Sequence, residues 1–434
     1  MGFVGNSSGF APVDNFAALP SGVNEGTMRY VTSRQSVYAY VGGVWTRTRI
    51  TDPSVANSEW WVSASTGSDD NPGTELLPIQ HISEVVGRIG DNDVGQITIH
   101  VMDDLVEEDL IIAGKCAADG LHRIYITAAP TVVLTTTLSA VTQWDVSSST
   151  NVVGKITGTA SLTGHAGKIF RISGGPRDGA YGVIGTLESG SAMQFAPMQF
   201  GLFTPGLVQP QVGDTIEVLT QKHLCNKLTV EPGCVVFVDG VQIGDGSTHG
   251  ITTSPTGQLW LSACKLDMGV DSGNASFISI ISCAVNQSAR AEGYACFLEL
   301  YGCYANQVTS RSNSEVDVGD SVLHGILSIN TKGEGFIVWG TFAYFDALPA
   351  GYACVFLGAD ALFSMNSASL GGRNIDSATT GKVVVAAGGH FYYSSKPNIG
   401  GSSTDYYIGG TMKATAAIPF VNTANNSCVV VYVP

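Results

Sequence analysis

Charge is scarce in this sequence, and positive charge scarcer still. Only 13% of the 434 residues are charged, with 21 Lys and Arg against 36 Asp and Glu, a formal net charge of −15. No Lys/Arg-rich run occurs, which excludes a nucleic-acid backbone as a partner. The chain is also poor in Leu, Lys and Glu for a helical protein, while its 44% apolar content is too high for disorder. The first ten residues, MGFVGNSSGF, have neither a basic segment nor an apolar core, so no signal peptide is expected. No apolar stretch approaches the roughly 20 residues of a membrane span, CVVVYVP at 428–434 being far too short, and no membrane insertion is expected.

Chemistry-bearing motifs are equally few. The 9 cysteines include no C-x-x-C pair, so they read as reduced thiols used as small buried groups in a chain folded in a cytoplasm. The 8 histidines show no H-E-x-x-H or other metal-ligand spacing, and no metal or cofactor is expected. GNSSG at 5–9 has the form G-x-S-x-G but no preceding strand, and no Gly-Lys pair has the surroundings of a phosphate loop.

What the sequence does hold is a repeat. LWLSACKLD (259–267), SIISCAVN (279–286) and LYGCYAN (300–306) align without gaps, with Cys264, Cys283 and Cys303 in equivalent places. Strand, small-residue corner and strand recur from KLTVEPGCVVFVDG (227–240) to KVVVAAGGHFYYS (382–394). Short strands repeating about every 20 residues, joined by Gly, Asn and Asp corners, predict an all-β solenoid, because one such coil cannot bury its inner face alone. A sandwich of hairpins would need Asn-Gly or Asp-Gly turns at shorter spacing, and few are present.

A solenoid has an exposed first coil that must be covered. PIQHISEVVGRIG (78–90) carries Ile79, Ile82, Val85, Val86 and Ile89 at helical spacing and reads as a single amphipathic lid. The strand at Trp60-Trp61 and the turn TGSDDNPGT (66–74) would carry the chain across the end, with Asp69-Asp70 as turn residues. This layout (Trp61, Val62, Gly67–Thr74, Pro78, the helix and ITIHV) resembles the start of pectate-lyase-like parallel β-helices, above all those of bacteriophage tailspikes and tail fibres. The resemblance implies a right-handed parallel β-helix, a homotrimer and a virion component made in a host bacterial cytoplasm. Residues 19–48, three short strands with Tyr and Trp, look like the small N-terminal module of phage tail and fibre proteins. Residues 167–220 break the coil rhythm and look similar to a small β-barrel inserted in phage β-helix proteins.

The expected organisation is therefore a β-module at 1–56 that joins other tail or capsid proteins, a leading strand, capping helix and first coils at 57–145, an inserted barrel at 146–222, coils at 223–412, and a strand segment at 413–434. The resemblance implies recognition of a host surface glycan or protein. Two alternatives stay open: depolymerase activity on the same fold, and a purely structural spike. Glycan cleavage would need paired carboxylates, and Asp267 and Glu299, near the ends of neighbouring coils, are the first candidates among Asp271, Glu292, Glu315, Asp317 and Asp320 as well. Tyr301, Tyr304, Trp339 and Tyr344 are the candidate receptor-binding aromatics. No stacked Asp and basic cluster of the pectate-lyase kind is visible, which speaks against lyase chemistry.

Overall fold

Alternation of period two decides the architecture. In Gln258–Ser262, Phe277–Ile281 and Phe297–Tyr301, the residues Leu259, Leu261, Ile278, Ile280, Leu298 and Leu300 are fully buried, while those between them face outward. In the computed structural model these strands lie parallel and in register, Leu259 on Ile278 and Ile278 on Leu298. The structure describes residues 11–14, 16–24, 27–31, 36–48, 59–89, 96–105, 109–114, 123–144, 154–189, 191–196, 198–199, 208–246, 250–330 and 333–337, followed by short strands between Phe342 and Tyr432.

The chain is an all-β, right-handed parallel β-helix. One face is a 13-stranded sheet that receives one strand per coil, and the rest of each coil joins a 17-stranded sheet that is bent along its length. Two short strands, such as Ile251–Thr253 and Lys265–Leu266, make up the bent sheet in most coils, whereas Ala284–Glu292 runs through the bend with an irregular register after Val285. The register climbs from Trp260 to Ser279, Glu299, Asp317 and Phe336, then in longer strides to Ser364 and Tyr392. The repeat of about 20 residues thus ends near Ile337 instead of continuing to 412. Longer strides fit the same stack because register constrains only the paired residues.

The corners explain the cysteines. Ala263, Ser282, Gly302 and Asp320 all adopt left-handed backbone, with φ of 50°, 52°, 62° and 47°. For non-glycine residues this costs about 1–2 kcal/mol each. The cost is offset by hydrogen bonds to the next coil: Ala263 N–H donates to Ile281 O at 3.1 Å and Ser282 N–H to Tyr301 O at 2.9 Å. Immediately after each corner an inward group closes the turn. The thiols of Cys264, Cys283 and Cys303 donate to Ser262 O, Ile281 O and Tyr301 O at 3.1, 3.2 and 3.3 Å. Cys264 N–H in turn donates to Cys283 Sγ at 3.3 Å. One coil on, Ser321 takes the same place, its hydroxyl donating to Gly319 O at 2.8 Å and accepting from Cys303 N–H at 3.2 Å. Burial pushes the Cys303 thiol up to about 12, so it stays a donor. The six described cysteines are all buried free thiols.

The lid helix, Ile82–Arg88, is shorter than 78–90 because the residues before it belong to a strand-like connection. Ile79 bridges to Val62, and Ser63 N–H donates to Ile79 O at 2.9 Å. Ile82, Val85 and Val86 then close the apolar core that continues through Ile97, Ile112 and Leu228. The turn holds the helix in place: Asp69 accepts from His81 N–H at 3.0 Å and pairs with His81 Nδ1 at 2.8 Å. Arg88, buried at the far end, bonds Glu84 at 2.8 Å, Asn71 O at 2.6 Å and Asp69 O. Gly73, at φ +82°, lies against Trp60, where a Cβ would come within 2.6 Å of the indole.

A closed six-stranded antiparallel barrel separates Arg123–Ala128 from the next coil strand, Lys222–Cys225. Its strands run from Thr131–Thr142 to Thr215–Thr220, so it begins at Thr131 and not at 146. Thr131–Thr142 pairs along its length with Thr215–Thr220 and Lys155–Gly158 and so belongs to the barrel wall. The barrel core of Phe170, Phe195, Ile184 and Val218 extends onto Ala263, Ala284 and Val322 of the solenoid. The Ser282 hydroxyl fixes this seat by donating to Tyr181 O at 3.3 Å. Nearer the N-terminus, Met28–Val31, Ser36–Val41 and Val44–Thr48 form a meander, with Ala11–Val13 added parallel to its first strand. Toward the C-terminus, Val430–Tyr432 pairs in parallel with Thr411–Ala414.

The thiol column gives a stability test. Cys283→Ser keeps a donor of the kind Ser321 already supplies and should change stability by less than about 1 kcal/mol. Cys283→Glu places a carboxylate without a partner in the dry corner and should cost several kcal/mol, on the order of 3 or more, or prevent folding. Thermal unfolding of the two variants beside the parent checks both; an unchanged midpoint for the Glu variant would contradict the inward register.

Candidate functional site

The outer face of the 13-stranded sheet gathers the chemistry. In-register parallel pairing places equivalent side chains about 4.8 Å apart, so each outward position forms a column. Tyr125, Phe237 and Trp260 form one, with ring centroids 4.7 and 4.6 Å apart and interplanar angles of 9° and 12°. The stack then shifts to the neighbouring column, where Phe277 lies 5.0 Å from Trp260 and Phe297 lies 5.6 Å from Phe277. The Arg123 guanidinium sits 5.6 Å from the Phe237 ring. Face-to-face stacking leaves mainly ring edges outward, so Trp260, Phe277 and Phe297 present a partly exposed apolar strip along the coil axis, while Phe237 is buried within the stack.

Both columns then change character. After Trp260 the first continues as Ser279, Glu299 and Asp317, and after Phe297 the second continues as Glu315 and Glu334. Carboxylates in register on neighbouring strands repel. Burial, followed by the charges of Glu315 and Glu299, lifts Asp317 to about 7. Burial raises Glu299 against a hydrogen bond from Ser279, and burial with Glu334 and Glu299 raises Glu315. Among the described residues no cation contributes to these shifts. Asp317 Oδ1 is shielded from water and has no hydrogen-bond partner. The Tyr301 phenol joins the group, its ionisation opposed first by burial and then by Asp317, Glu299 and Asp320. Its ring lies over Gly319, where a Cβ would be 2.4 Å from Cε1. Among the described residues no group of three His, Cys, Asp or Glu side chains is arranged to hold a metal ion.

The residues singled out in the sequence divide between the two sheets. Glu299 and Tyr301 stand in this cluster. Asp267 follows the strand Lys265–Leu266 of the bent sheet, paired with Lys265 at 2.6 Å and accepting from Gln242 and Asn286 at 2.8 and 2.5 Å. It is a side-chain anchor there, and the structure does not bring it to Glu299. Tyr304 also lies on the bent sheet, its hydroxyl 3.0 Å from His324 Nδ1 and its ring packed on the barrel core. Tyr344 lies on the strand Phe342–Phe345, paired with Val322, and Trp339 lies outside the described residues.

Sequence reasoning missed the pairing of Glu299 with Asp317, although a signal existed. Glu299 stands four residues before Cys303, and Asp317 stands four before Ser321. An alignment anchored on cysteine stops one coil too early; accepting Ser321 as the next corner group puts the two carboxylates side by side. The aromatic ladder was missed for a related reason, since Trp260 and Phe277 touch across columns.

No protein-family model and no curated protein matches the sequence. Among solved structures, similarity is found to XylC in complex with xylose, 8% identical at a TM-score of 0.33 and covering 86% of each chain. It is also found to the gp54 tailspike of Acinetobacter baumannii bacteriophage AP22 in complex with A. baumannii capsular saccharide, 11% identical at a TM-score of 0.24, covering 82% of this chain and 74% of that one. A third is the gp61 tailspike of Pseudomonas phage phi297, 11% identical at a TM-score of 0.24, covering 74% and 66%.

The cluster makes stability depend on pH. Folded Asp317 keeps its proton up to about pH 7, whereas the unfolded chain releases it near the ordinary aspartate value of 3.8. The folded state therefore binds more protons between these values, so this group's contribution is fully present below the unfolded value and is lost as pH rises through the folded one. Asp317→Asn should raise the melting temperature by several degrees at about pH 8 and have little effect at about pH 4. Melting curves of parent and variant across this range check it; an equal effect at both ends would contradict the raised pKa.

Proposed function

We propose that the chain is a virion tailspike or tail fibre protein whose β-helix recognises a glycan on the host cell surface. The observation that carries the reading is the carboxylate cluster beyond the aromatic strip. Like charges stacked in register weaken the coils, and a destabilising group on an outer face is typical of a binding or reacting surface. The strip supplies apolar contact for the C–H surfaces of sugar rings, and Glu299, Glu315 and Asp317 accept from hydroxyls. A straight solenoid face suits a polymer, since each coil repeats the contact at a fixed interval. In this reading residues 1–56 join the particle, the coils face outward, and the assembly is the homotrimer implied by the resemblance.

The same geometry favours a second reading, glycoside cleavage. Glycosidases need one carboxyl group protonated near neutral pH beside one that is ionised. Asp317, held protonated to about 7, fits the acid, and Glu299 one strand away fits the nucleophile. Carboxyl groups about 5 Å apart belong to the retaining mechanism; wider separations would admit a water and give inversion.

A fragment beginning near Ser58 should fold, adhere to host cells and compete with whole phage, yet fail to join tails. Adsorption competition measures this. A folded fragment that neither adheres nor blocks infection would leave the purely structural spike as the better account. Shortening of purified host polysaccharide, abolished by Asp317→Asn and by Glu299→Gln, would establish cleavage.

A further inference from the structure

Where the inserted barrel joins the solenoid, a carboxyl group lies covered that the outer-face cluster does not include. We propose that this root is a pH-responsive joint, in which the barrel sits firmly on the solenoid while Asp239 is protonated and lifts from it when Asp239 ionises. The joint is narrow. The chain leaves the coil strand Arg123–Ala128 for the barrel through Ala129 and Pro130, and it returns to Lys222–Cys225 through Gln221. Asp239 lies beside this root, in register with Thr127 and Ser262. The next residue, Gly240, at φ +72°, packs so closely on the departing chain that a Cβ would meet Ala128 O at 2.7 Å. The barrel wall overhangs the same column: Tyr181 O accepts from the Ser282 hydroxyl at 3.3 Å, two strands along from Asp239.

The groups facing Asp239 leave its charge unbalanced. On the barrel wall Glu217, Arg171 and Tyr181 stand in register. Arg171 is drawn to Glu217 at 2.7 Å and donates to the Tyr181 oxygen, so its charge is already met. The Tyr181 phenol, held neutral by burial and by Asp239, is the barrel group nearest the carboxyl in effect. On the sheet side Thr127 is uncharged, and the Ser262 hydroxyl donates to the carboxyl. Burial lifts Asp239 above its ordinary value of 3.8, and the Ser262 bond offsets only part of that. A lifted barrel returns the carboxyl to water and to its ordinary value. The seated form therefore binds more protons between the two values. Its advantage is fully present below the ordinary value and is lost as pH rises through the raised one. At the returning strand Gln221 is buried with Nε2 unpartnered, a second polar group that lifting would hydrate. Opposing both are the apolar seat on Ala263, Ala284 and Val322 and the Ser282 bond. A proton bound by one state in preference to the other tips such a balance.

The test uses the full chain with nitroxides attached through azidophenylalanine at Thr163 on the barrel and Gln258 on the solenoid, both exposed. Pulsed electron resonance then measures the distance between them from about pH 4 to about pH 8. The ratio of lifted to seated molecules should rise by about tenfold for each unit by which the seated Asp239 exceeds its ordinary value. Asp239→Asn, which keeps the shape of the protonated side chain, should give a low ratio that does not change with pH. Ser262→Ala removes the one donor that favours the ionised form in the seated state, so its rise should exceed the parent's. Asp317→Asn should leave the rise intact, which separates the joint from the outer-face cluster. A parent ratio that stays flat across the range overturns the proposal. So does a rise that persists in Asp239→Asn, that shrinks in Ser262→Ala, or that vanishes in Asp317→Asn.

Discussion

In-register parallel stacking is the constraint on which the rest of this structure depends. Each coil lies about 4.8 Å above the last, and every side chain faces its equivalent in the coils on either side. For apolar groups the consequence is favourable, and Leu259, Ile278, Leu298 and Val316 form an unbroken inner column. For the corners it is mixed: the left-handed backbone at Ala263, Ser282 and Asp320 is strained, yet repetition lets each corner amide reach a neighbouring coil. For like charges it is unfavourable, and the stackings of Glu299 with Asp317 and of Glu315 with Glu334 break the rule.

That break separates structure from function on one surface. The aromatic ladder obeys the stacking rule, since rings above rings contribute about 0.5–1.5 kcal/mol per pair beyond burial. The carboxylates one step further along oppose it, and burial compounds the effect by disfavouring their charged forms. The barrel contributes to the same region from the side: burial and the charge of Asp239 both hold the Tyr181 phenol neutral where the barrel meets the sheet. At the N-terminal end the lid meets a different demand, sealing the core with Ile82, Val85 and Val86 and tying its own polar ends back to Asp69 and Asn71.

Much of the fold was legible because solenoid coils repeat their chemistry. Strand alternation, small corners and the cysteine positions identified the stack, and Ile82, Val85 and Val86 identified the lid. What stayed hidden depended on register or on substitution within a column. Ser321 does the work of a cysteine, so the gapless alignment on cysteine stopped at Cys303 although the strand repeat itself was read further along the chain. Asp267 and Glu299 looked comparable along the chain because sequence spacing does not say which sheet a residue joins. Thr131–Thr142 alternates as a coil strand would, and only its antiparallel partners assign it to the barrel.

The most direct test of the central claim is a double-mutant cycle on folding stability at about pH 8, using Glu299→Gln, Asp317→Asn and both together. If the two carboxylates repel across one strand interval, either change alone relieves most of the repulsion and the second adds little. The account predicts a coupling of about 0.5 kcal/mol or more, the range found for residues in direct interaction. Additive effects of the two substitutions would contradict the register that brings these residues together.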